Sequence, residues 1–388
     1  MERQKIGGVI VSDMNHTNYG SALQAYATVK AVQEFGYNLS IIKYRKQRSF
    51  IEKLWITPQY FLCGGLKRTL RGIKTAIYMR IKKEYAKGQR VRRQATNGFK
   101  ETELVPLFVE YKGYPALCKG SGDYDAVFVG SDQTWNPIGF YSNYWNLMFV
   151  DDRIPKFSYA ASFGVSRVPA IQRKGTKKYL ERLDMISVRE DKGKRIIESI
   201  SDRQATVVVD PTMLLSRDKW VEFAGKSDRQ IEGSYIFCYF LGPRRDIREA
   251  AVKLSKDTGC KIVICPHMEE YRKADEGIGD YVLYDLNPYD FVKILSEAKY
   301  VCTDSFHGTV FSIMMHRKFM TFYRDTWTST NSRIDNLLGF LGLEDRLYKG
   351  DMSLINGEID YKLVDERLAQ KREESEAFFK NALSLSSK

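Results

Sequence analysis

Short apolar runs alternate with amphipathic helical stretches along most of the chain, a pattern typical of α/β proteins. Residues 5–12 are predicted to form a buried strand, residues 21–35 a helix that ends at Gly36, and residues 39–44 a second strand. Because short turns join these segments, the two strands should lie parallel, with a right-handed crossover between them. The chain therefore opens with a β-α-β unit.

The alternation resumes after residue 115 and runs in two series. The strands predicted for the first series are 126–130, 156–162, 186–188 and 206–210, with helices at 167–183 and 190–199. The second series follows Asp210-Pro211, and its predicted strands are 235–240, 261–265, 300–303 and 319–323, with helices at 244–257, 288–298 and 308–316. A stretch with helical spacing at 362–385 comes last.

Two such series predict two Rossmann-like domains that face each other across a cleft. We expect residues 1–210 to form the N-terminal domain and residues 211–345 the C-terminal domain. Residues 346–388 should form a helical tail that could return to the first domain. Residues 45–115 fit neither series and are predicted to be a helical insertion in the N-terminal domain.

Composition and cysteine usage indicate a globular protein of a reducing compartment. Of the 388 residues, 43% are hydrophobic, but no run of about 18 uncharged apolar residues occurs, so no membrane-spanning helix is expected. The start of the chain lacks the features of a cleavable signal. The six cysteines form no C-x-x-C pair and the four histidines no H-E-x-x-H spacing, so we expect no metal site. These features predict a cytoplasmic location.

The net charge of +13 is concentrated in the insertion. Residues 45–100 carry sixteen Lys or Arg and two Glu, a net charge of +14, so the remainder of the chain is close to neutral. Within this segment apolar residues recur at helical spacing, at Leu66, Leu70, Ile73, Ile77, Ile81 and Tyr85. An aromatic and apolar cluster precedes them, at Phe50, Leu54, Trp55, Ile56, Tyr60, Phe61 and Leu62.

This apolar stripe with basic flanks has two interpretations. Residues 50–93 could anchor the protein at an anionic membrane surface, with the basic residues near the lipid headgroups. Alternatively, the stripe could pack on the protein's own domain or on a second copy, with the charges solvated. Nucleic-acid binding is not expected, because no recognised module accompanies the charge.

Several common catalytic signatures are absent. No G-x-G-x-x-G follows the first strand, and neither G-x-x-x-x-G-K-[ST] nor G-x-S-x-G occurs. Their absence argues against a dinucleotide fingerprint, a P-loop and a serine-hydrolase elbow. The triplet Asp123-Tyr124-Asp125 precedes a strand instead of following one, so we interpret it as a loop and not as a metal-binding Asp-x-Asp.

Polar segments follow two strands of the first series, at the edge where open α/β sheets bind ligands. After the first strand, Asn18 and Gly20 suit a tight turn, and Ser21 could cap the helix whose free N–H groups face the cleft. An ordinary connecting loop explains that segment equally well.

The segment after the strand at 126–130 combines Ser131 and Gln133 with Trp135. Polar side chains beside an aromatic face suit a sugar ring. A plain structural loop remains the alternative here too.

A third polar segment follows the strand at 300–303. Ser305, His307 and the amides of Gly308 and Thr309 should meet at a helix N-terminus, which favours anions. Because Asp, Ser and Gly flank this histidine at a turn, a functional role is favoured over a role in the core.

Arg189 directly follows another predicted strand and could bind a carboxylate or phosphate through two N–H groups. The alternative is a surface ion pair with Glu190.

Six sequence segments occur together in one order. They are N-Y-G-S-A-L-Q-A-Y-A at 18–27, V-G-S-D-Q-T-W-N at 129–136, Y-A-A-S-F-G at 159–164, S-V-R-E at 187–190, D-P-T at 210–212 and T-D-S-F-H-G-T-V at 303–310. Together they resemble the polysaccharide pyruvyl transferase family, across residues 5–325. The resemblance implies a fold similar to the GT-B glycosyltransferases, with an acceptor-side N-terminal domain and a donor-side C-terminal domain. It does not extend to the insertion at 45–115.

The resemblance implies transfer of the pyruvyl group of phosphoenolpyruvate to a sugar as a ketal, in the synthesis of surface (capsular or exo-) polysaccharide. Phosphoenolpyruvate would be the donor substrate, and no separate cofactor is implied. Arg189 and His307 would be the principal donor-binding and catalytic positions. Ser305, Gly308 and Thr309 would cradle the phosphate, and Lys318 would add a second cation.

The implied reaction also needs a base and an acceptor site. Asp13 and Asp132 are the candidate bases, and we expect both to be catalytic residues. The remaining substrate-binding positions are Asn18, Gly20, Ser131, Gln133, Trp135 and Ser162. The acceptor would be a saccharide, and a lipid-linked one would suit a protein held peripherally at the inner membrane face by its basic insertion.

Two other functions fit the same sequence. A GT-B glycosyltransferase that uses a nucleotide sugar would share the fold, and would be expected to bind the nucleotide in the C-terminal domain. A non-catalytic assembly factor for surface polysaccharide could also keep the fold, although the presence of both Arg189 and His307 argues against it.

Overall fold

The computed structural model describes residues 3–47, 57, 58, 60, 61, 65–324 and 331–387. Its first domain is built on a seven-stranded sheet in which every pair of neighbouring strands is parallel. The strands are β1 (Lys5–Val9), β2 (Asn38–Arg45), β3 (Phe108–Lys112), β4 (Ala126–Val129), β5 (Lys156–Ala161), β6 (Met185–Val188) and β7 (Thr206–Val207). The central strands β4 and β5 are wholly buried, as expected for a parallel sheet with helices on both faces.

The second domain is built on a five-stranded parallel sheet. Its strands are β8 (Tyr235–Tyr239), β9 (Lys261–Ile264), β10 (Tyr281–Val282), β11 (Tyr300–Thr303) and β12 (Lys318–Thr321). Two strands were not predicted from the sequence. The edge strand β3 lies inside the segment that we expected to be a helical insertion, and β10 spans only two residues.

Twelve α-helices of the described residues connect and cover these sheets. They are α1 (Tyr19–Glu34), α2 (Leu66–Ile81), α3 (Lys83–Glu103), α4 (Tyr114–Gly120), α5 (Ala170–Glu181), α6 (Asp191–Glu198), α7 (Arg217–Ala224), α8 (Asp246–Thr258), α9 (Pro288–Glu297), α10 (Phe306–Met314), α11 (Ser332–Leu341) and α12 (Tyr361–Ser384). No helix among the described residues is both long and apolar enough to cross a membrane.

The strand order places a switch point in each sheet. The first sheet runs β3-β2-β1-β4-β5-β6-β7, so its order reverses between β1 and β4, and the second runs β10-β9-β8-β11-β12, with its reversal between β8 and β11. Loops that leave adjacent strands on opposite sides open a crevice at the carboxyl ends of those strands. The polar segments after β1, β4 and β11 therefore lie at the two crevices.

Helix α1 joins the two domains. It is buried along most of its length, because elements of both domains pack on it. Tyr19 stacks on Phe291 of α9 with ring centroids 4.4 Å apart, and Tyr26 packs against Trp220 and Phe223 of α7. One apolar core therefore runs from the first domain into the second.

The last helix, α12, packs against the first domain. Phe379 stacks on Tyr159 of β5 with centroids 4.1 Å apart, and the Val209 amide donates to Ser375 Oγ at 3.0 Å. Because α12 follows the second domain in the chain, this contact ties both ends of the protein to one sheet.

The basic segment contains two helices in different environments. Helix α3 bridges the domains: Arg92 donates from Nε to the Tyr284 carbonyl at 2.7 Å and from Nη2 to the Leu283 carbonyl at 2.8 Å, and Tyr85 and Gln89 both donate to the Met268 carbonyl. Helix α2 instead exposes its apolar stripe. The residues Leu66, Leu70, Ile73, Ile77 and Ile81 are each 51–66% exposed. The stripe is therefore not packed on the rest of the described chain, and most of the apolar cluster predicted upstream lies outside the described residues.

Candidate active site

Two helix N-termini meet in the cleft between the domains. Helix α1 begins after the first crevice, and helix α10, which carries His307 in its first turn, begins after the second. A side chain at Gly20 would place its Cβ 2.1 Å from His307 Nδ1, closer than any unbonded contact. Gly20 is therefore required for the imidazole to lie against the start of α1.

Arg189 extends from the carboxyl end of β6 into this cleft. Its side chain is only 1% exposed, and Nη1 donates to Asp210 Oδ2 at 2.6 Å. Nε and Nη2 have no hydrogen-bond partner among the described residues; the Asp132 carboxylate, at 3.6 Å from Nη2, is beyond hydrogen-bond distance. Because buried donors are almost always satisfied in folded proteins, this edge of the guanidinium is poised for an acidic ligand.

Asp210 lies against both Arg189 and His307. We call these three residues, together with Asp132, Glu190 and Arg333, the active-site cluster. Asp210 Oδ2 accepts from Arg189 and from Ser131 Oγ, the latter at 2.8 Å, while Oδ1 accepts from the Thr212 amide and hydroxyl at 3.0 and 2.7 Å. Burial alone would raise the pKa of Asp210, but the nearby charge of His307 and the charge and hydrogen bond of Arg189 outweigh it and hold the pKa well below its usual range. Asp210 is therefore ionised and fixes the orientation of Arg189.

His307 lies on the other side of the same carboxylate. Its Nε2 is 3.6 Å from Asp210 Oδ2, an ion-pair distance too long for a hydrogen bond, and has no hydrogen-bond partner among the described residues. The ring is largely buried. An imidazole nitrogen held in this way can donate a proton to a ligand or accept one from it.

Asp132 closes the cleft on the N-terminal side. It adopts a positive φ of 75°, an uncommon conformation for a non-glycine residue that is often found at functional sites. Oδ2 accepts from Ser21 Oγ at 2.8 Å. Burial opposes ionisation of this carboxyl, but Arg189, His307 and Arg333 lower its pKa overall, so Asp132 is an ionised acceptor beside Arg189.

Three residues of the cluster were not among the predicted site residues. The sequence marks Asp210 only as part of the D-P-T segment. Arg333, in the first turn of α11, is buried with its guanidinium 5.7 Å from the Phe306 ring centroid, and Arg189 lies 4.7 Å from that ring. Burial lowers the pKa of Arg333 to about 10, and the nearby charges of Arg189 and Arg324 act in the same direction.

Glu190 is the third such residue. It is buried, Oε1 accepts from Ser162 Oγ at 2.7 Å, and Oε2 has no hydrogen-bond partner among the described residues. The interpretation of Glu190 as half of a surface ion pair is therefore wrong. Burial raises the pKa of Glu190, which favours its neutral form.

The active-site cluster contains two guanidinium groups and one imidazole beside three carboxyl groups. Its positive and negative groups are therefore nearly balanced, and it would bind an anion through N–H groups that have no partner among the described residues, more than through net charge.

The other predicted residues of the N-terminal half support the cluster without all facing the cleft. Asn18 caps α1 by accepting from the Ser21 amide at 3.3 Å, so the expectation that Ser21 is the cap was wrong. Ser131 and Ser162 hold Asp210 and Glu190 in place. Gln133 packs against Gly164, where an added Cβ would lie 2.7 Å from its carboxamide.

Trp135 does not form the exposed platform that we expected. It is buried against Phe163 and Tyr179, with centroids 5.3 and 5.6 Å away, and its indole N–H donates to the Trp145 carbonyl at 3.2 Å. The rings around it come from segments that are distant in sequence, which is why the local pattern could not show the burial.

The groups expected to cradle a phosphate on α10 are bonded within the helix. Ser305 Oγ accepts from the Gly308 amide at 3.3 Å, the Thr309 amide donates to the Ser305 carbonyl at 2.9 Å, and Thr309 Oγ1 lies 2.7 Å from Thr321 Oγ1. These residues position His307, and the structure does not present their side chains to the cleft.

Lys318 is not brought to the site. It begins β12, and its Nζ donates to Glu358 Oε1 at 2.9 Å and to the Asn356 carbonyl at 3.1 Å. Because β11 and β12 are parallel and paired from Tyr300↔Lys318 onward, the amino end of β12 lies at the edge of the sheet opposite His307.

Asp13 belongs to a second polar cluster in the cleft. Asp13 Oδ1 accepts from the Asn15 amide at 2.8 Å, Lys100 Nζ donates to the Asp13 carbonyl at 2.8 Å and to the His16 carbonyl, and His16 Nδ1 lies 3.3 Å from Glu269 Oε1. We call these five residues the loop cluster. It links the β1–α1 loop to α3 and to the second domain.

The residues that the structure describes contain no group of three or more His, Cys, Asp or Glu side chains placed to hold a metal ion. The five described cysteines are free, and four of them are buried; Cys63 lies outside the described residues.

Comparison with solved structures supports the same fold. A UDP-N-acetylglucosamine 2-epimerase superposes with a TM-score of 0.50 at 10% sequence identity, covering 97% of this chain and 91% of that one. The putative UDP-N-acetylglucosamine 2-epimerase of Listeria monocytogenes gives 0.47 at 12% identity, with 95% and 91% covered, and UGT89C1 of Arabidopsis thaliana gives 0.43 at 8% identity, with 96% and 94% covered. At these identities the likeness concerns the fold alone.

The fold and the cleft define a GT-B-like protein of two Rossmann-like domains. No curated protein matches the chain at a significant level. The family model for polysaccharide pyruvyl transferase matches residues 18–326, and the chain belongs to that family.

Proposed function

We propose that this protein transfers the pyruvyl group of phosphoenolpyruvate to two hydroxyls of a saccharide acceptor and releases phosphate. The observation that carries the proposal is the set of unsatisfied nitrogens at one place in the cleft: Nε and Nη2 of Arg189 and Nε2 of His307. A carboxylate or phosphate oxygen offers the acceptors that these groups lack, and a guanidinium binds such groups through two parallel N–H···O bonds.

Arg189 would bind the donor, with Arg333 supplying a second positive charge beside the Phe306 ring. Asp210 holds Arg189 in one orientation before the substrate arrives, so little reorganisation is needed during the reaction. Burial raises the pKa of Glu190, which would lessen the repulsion between this carboxyl group and the polyanionic donor.

The chemistry requires two additions of oxygen to the same carbon. Protonation of the methylene carbon of phosphoenolpyruvate makes a methyl group and leaves the adjacent carbon electrophilic. One acceptor hydroxyl attacks that carbon and gives up its proton. The C–O bond to phosphate then breaks, a second hydroxyl adds and gives up its proton, and the cyclic ketal forms. Of the two hydroxyl protons, one replaces the proton given to the methylene carbon and the other leaves with phosphate.

Roles for the residues follow from their positions. His307 would be the general acid that protonates the donor, because its Nε2 has no hydrogen-bond partner among the described residues. Asp132 would be the base for an acceptor hydroxyl, because it is ionised and borders Arg189. Asp13 is bonded within the loop cluster, so we do not propose it as the base.

The test is incubation of the purified protein with phosphoenolpyruvate and a panel of galactosyl, mannosyl and glucosaminyl acceptors. We expect phosphate release that depends on the acceptor, together with a product that carries the pyruvyl mass. Binding of a nucleotide with no binding of phosphoenolpyruvate would instead favour a nucleotide-sugar glycosyltransferase and would contradict the proposal.

We further propose that helix α2 docks on an anionic membrane, where a lipid-linked acceptor would be found. The helix contains basic residues and no acidic one. Its other side is fixed to the second domain, because Tyr78 stacks on Tyr271 at 4.2 Å and Arg71 pairs with Glu270 at 3.6 Å. The exposed stripe, with Lys74 and Arg80 on either side of it at helical spacing, therefore faces outward. Apolar residues flanked by basic ones match an anionic lipid surface.

Flotation with vesicles tests the docking proposal. The wild-type protein should float with phosphatidylglycerol-containing vesicles and not with pure phosphatidylcholine, and the double variant Ile73→Ser/Ile77→Ser should bind roughly tenfold more weakly because it loses apolar burial. The control is Ile171→Ser/Val221→Ser, which removes two other exposed apolar side chains. Equal flotation of both double variants would contradict the proposal. So would sedimentation that shows a dimer of the wild type and a monomer of Ile73→Ser/Ile77→Ser, because a second copy would then cover the stripe.

A further inference from the structure

A basic cavity lies beside the candidate active site. It has a volume of about 590 Å³ and lies between the loop after β5 and the helices α5, α6 and α11. Its charged lining consists of four cations and two carboxylates: Arg167, Arg173, Lys192, Arg195, Asp191 and Asp335. Pockets of this volume accommodate ligands larger than a three-carbon donor, so the cavity has room for one or two sugar rings.

Two of the cations have unused binding capacity. Arg167 and Arg195 line the cavity and are exposed, so a ligand can reach both guanidinium groups. Arg173 is held toward α6 by donating from Nη2 to the Ser199 carbonyl at 2.6 Å. Asp335 is engaged in turn, because Tyr323 donates to it. The groups left to meet a ligand are therefore guanidinium N–H groups, which bind phosphate and carboxylate oxygens in pairs.

The lining of the cavity adjoins the active-site cluster along the chain. Asp191 and Lys192 directly follow Arg189 and Glu190, and Ser332 of the cavity directly precedes Arg333. Asn336 lines both the cavity and a small space of about 20 Å³ beside Arg189, Phe306 and Arg333. A ligand in the cavity would thus be close to a donor held by Arg189.

We infer that this cavity binds the acidic group of the saccharide acceptor, a phosphate or a carboxylate carried on the sugar, while the hydroxyls of the sugar reach toward His307 and Asp132. The inference rests on the proposed function, since it supplies the second substrate for that site. It predicts that the enzyme prefers an anionic saccharide to a neutral one.

Binding measurements on the full-length protein test the inference without requiring turnover. The probes are galactose 1-phosphate, galacturonate, neutral galactose and inorganic phosphate, titrated by calorimetry, with phosphoenolpyruvate titrated separately. The wild type should bind one of the two acidic sugars at least tenfold more tightly than galactose and than inorganic phosphate. Which acidic sugar binds more tightly distinguishes a phosphate group from a carboxylate.

The variant Arg167→Gln/Arg195→Gln should weaken binding of that acidic sugar about tenfold or more, the effect of losing charge-assisted hydrogen bonds. Its affinity for phosphoenolpyruvate should stay within twofold of the wild type. The matched control Lys174→Gln/Lys178→Gln removes the same charge from exposed positions of α5 outside the cavity lining and should leave both affinities unchanged. If the double arginine variant is unstable, Arg167→Gln alone serves, because Arg167 lies in an exposed loop.

Acidic-sugar binding that the arginine substitutions leave unchanged, or that inorganic phosphate reproduces in full, would overturn the inference. Failure of the wild type to bind phosphoenolpyruvate would instead contradict the proposed function. The two failures are therefore distinguishable in one set of titrations.

Discussion

The cleft contains two clusters of similar side chains in opposite states of satisfaction. The active-site cluster places Arg189 and His307 around Asp210, and three of their nitrogens have no hydrogen-bond partner among the described residues. The loop cluster also contains a buried cation, an imidazole and carboxylates, but Lys100 donates to two carbonyls and His16 is bonded to Glu269. A satisfied cluster holds the fold together, whereas buried donors without partners indicate a binding site.

The largest effect on turnover is expected for His307, the imidazole of the active-site cluster, and not for His16 of the loop cluster. His307→Gln should reduce turnover about 10²–10⁴-fold, the range for loss of a general acid. The midpoint of thermal unfolding should change little, because His307 Nε2 has no hydrogen-bond partner in the described structure to lose. Steady-state kinetics with calorimetric unfolding checks this, and turnover within tenfold of the wild type would remove His307 from the mechanism.

A methyl group at position 20 tests how closely the imidazole is held. Gly20→Ala puts a Cβ where only 2.1 Å is available to His307 Nδ1, so the ring must move. A displacement of about 1 Å in a catalytic group can reduce turnover ~10²-fold. In a His307→Ala background, which has room for the methyl, Gly20→Ala should add little further loss. Fully additive losses in the double variant would show that Gly20 acts elsewhere.

Lys100→Met should change stability and spare catalysis. Burial lowers the pKa of Lys100 from 10.5 to about 8, so between these values the folded protein binds fewer protons than the unfolded chain. The free energy of unfolding should therefore rise with pH across that window, and by roughly 2–3 kcal/mol more in the wild type than in Lys100→Met. Denaturant unfolding at several pH values measures the difference; parallel curves would contradict it. Turnover per folded molecule should fall no more than a few-fold.

The smallest effect is expected at the partly exposed end of the loop cluster. The hydrogen bond to Glu269 raises the pKa of His16, and the nearby charges of Asp13 and Lys100 act on it in opposite directions. A raised pKa stabilises the fold below the ordinary histidine pKa of about 6.5, and the contribution is lost as the pH rises through the raised value. His16→Gln should therefore lower stability by less than about 1 kcal/mol at pH 6, with no difference from the wild type at pH 9. If the variant instead lost more stability relative to the wild type as the pH rises, the pKa of His16 would not be raised in the folded protein.

The sequence located the crevice residues because strands, turns and polar loops follow local rules. The alternation of apolar runs predicted where β1, β4, β6 and β11 end, and the side chains that follow them meet at the switch points. The crevice therefore contains His307, Arg189, Gly20 and Asp132, each of which comes soon after a strand.

What the sequence did not show depends on distant partners. Arg333 reaches the site because α11 packs beside Phe306, and no local motif marks it. Lys318 is close to His307 in sequence, but the parallel pairing of β11 and β12 places it at the far edge of the sheet. The helices α2 and α3 share a basic composition, and only their tertiary contacts distinguish them: α3 buries Arg92 against the second domain, whereas α2 leaves its apolar stripe exposed.

The most direct test of the account is calorimetric titration of phosphoenolpyruvate into the wild-type protein and into Arg189→Lys. The lysine keeps one positive charge beside Asp210 but cannot present the pair of N–H groups, on Nε and Nη2, that have no partner in the guanidinium of Arg189. We predict saturable binding to the wild type and a loss of affinity of about 10²-fold in the variant, since one bidentate charge-assisted contact is lost. Equal affinity in the two proteins, or no binding to the wild type, would contradict the account.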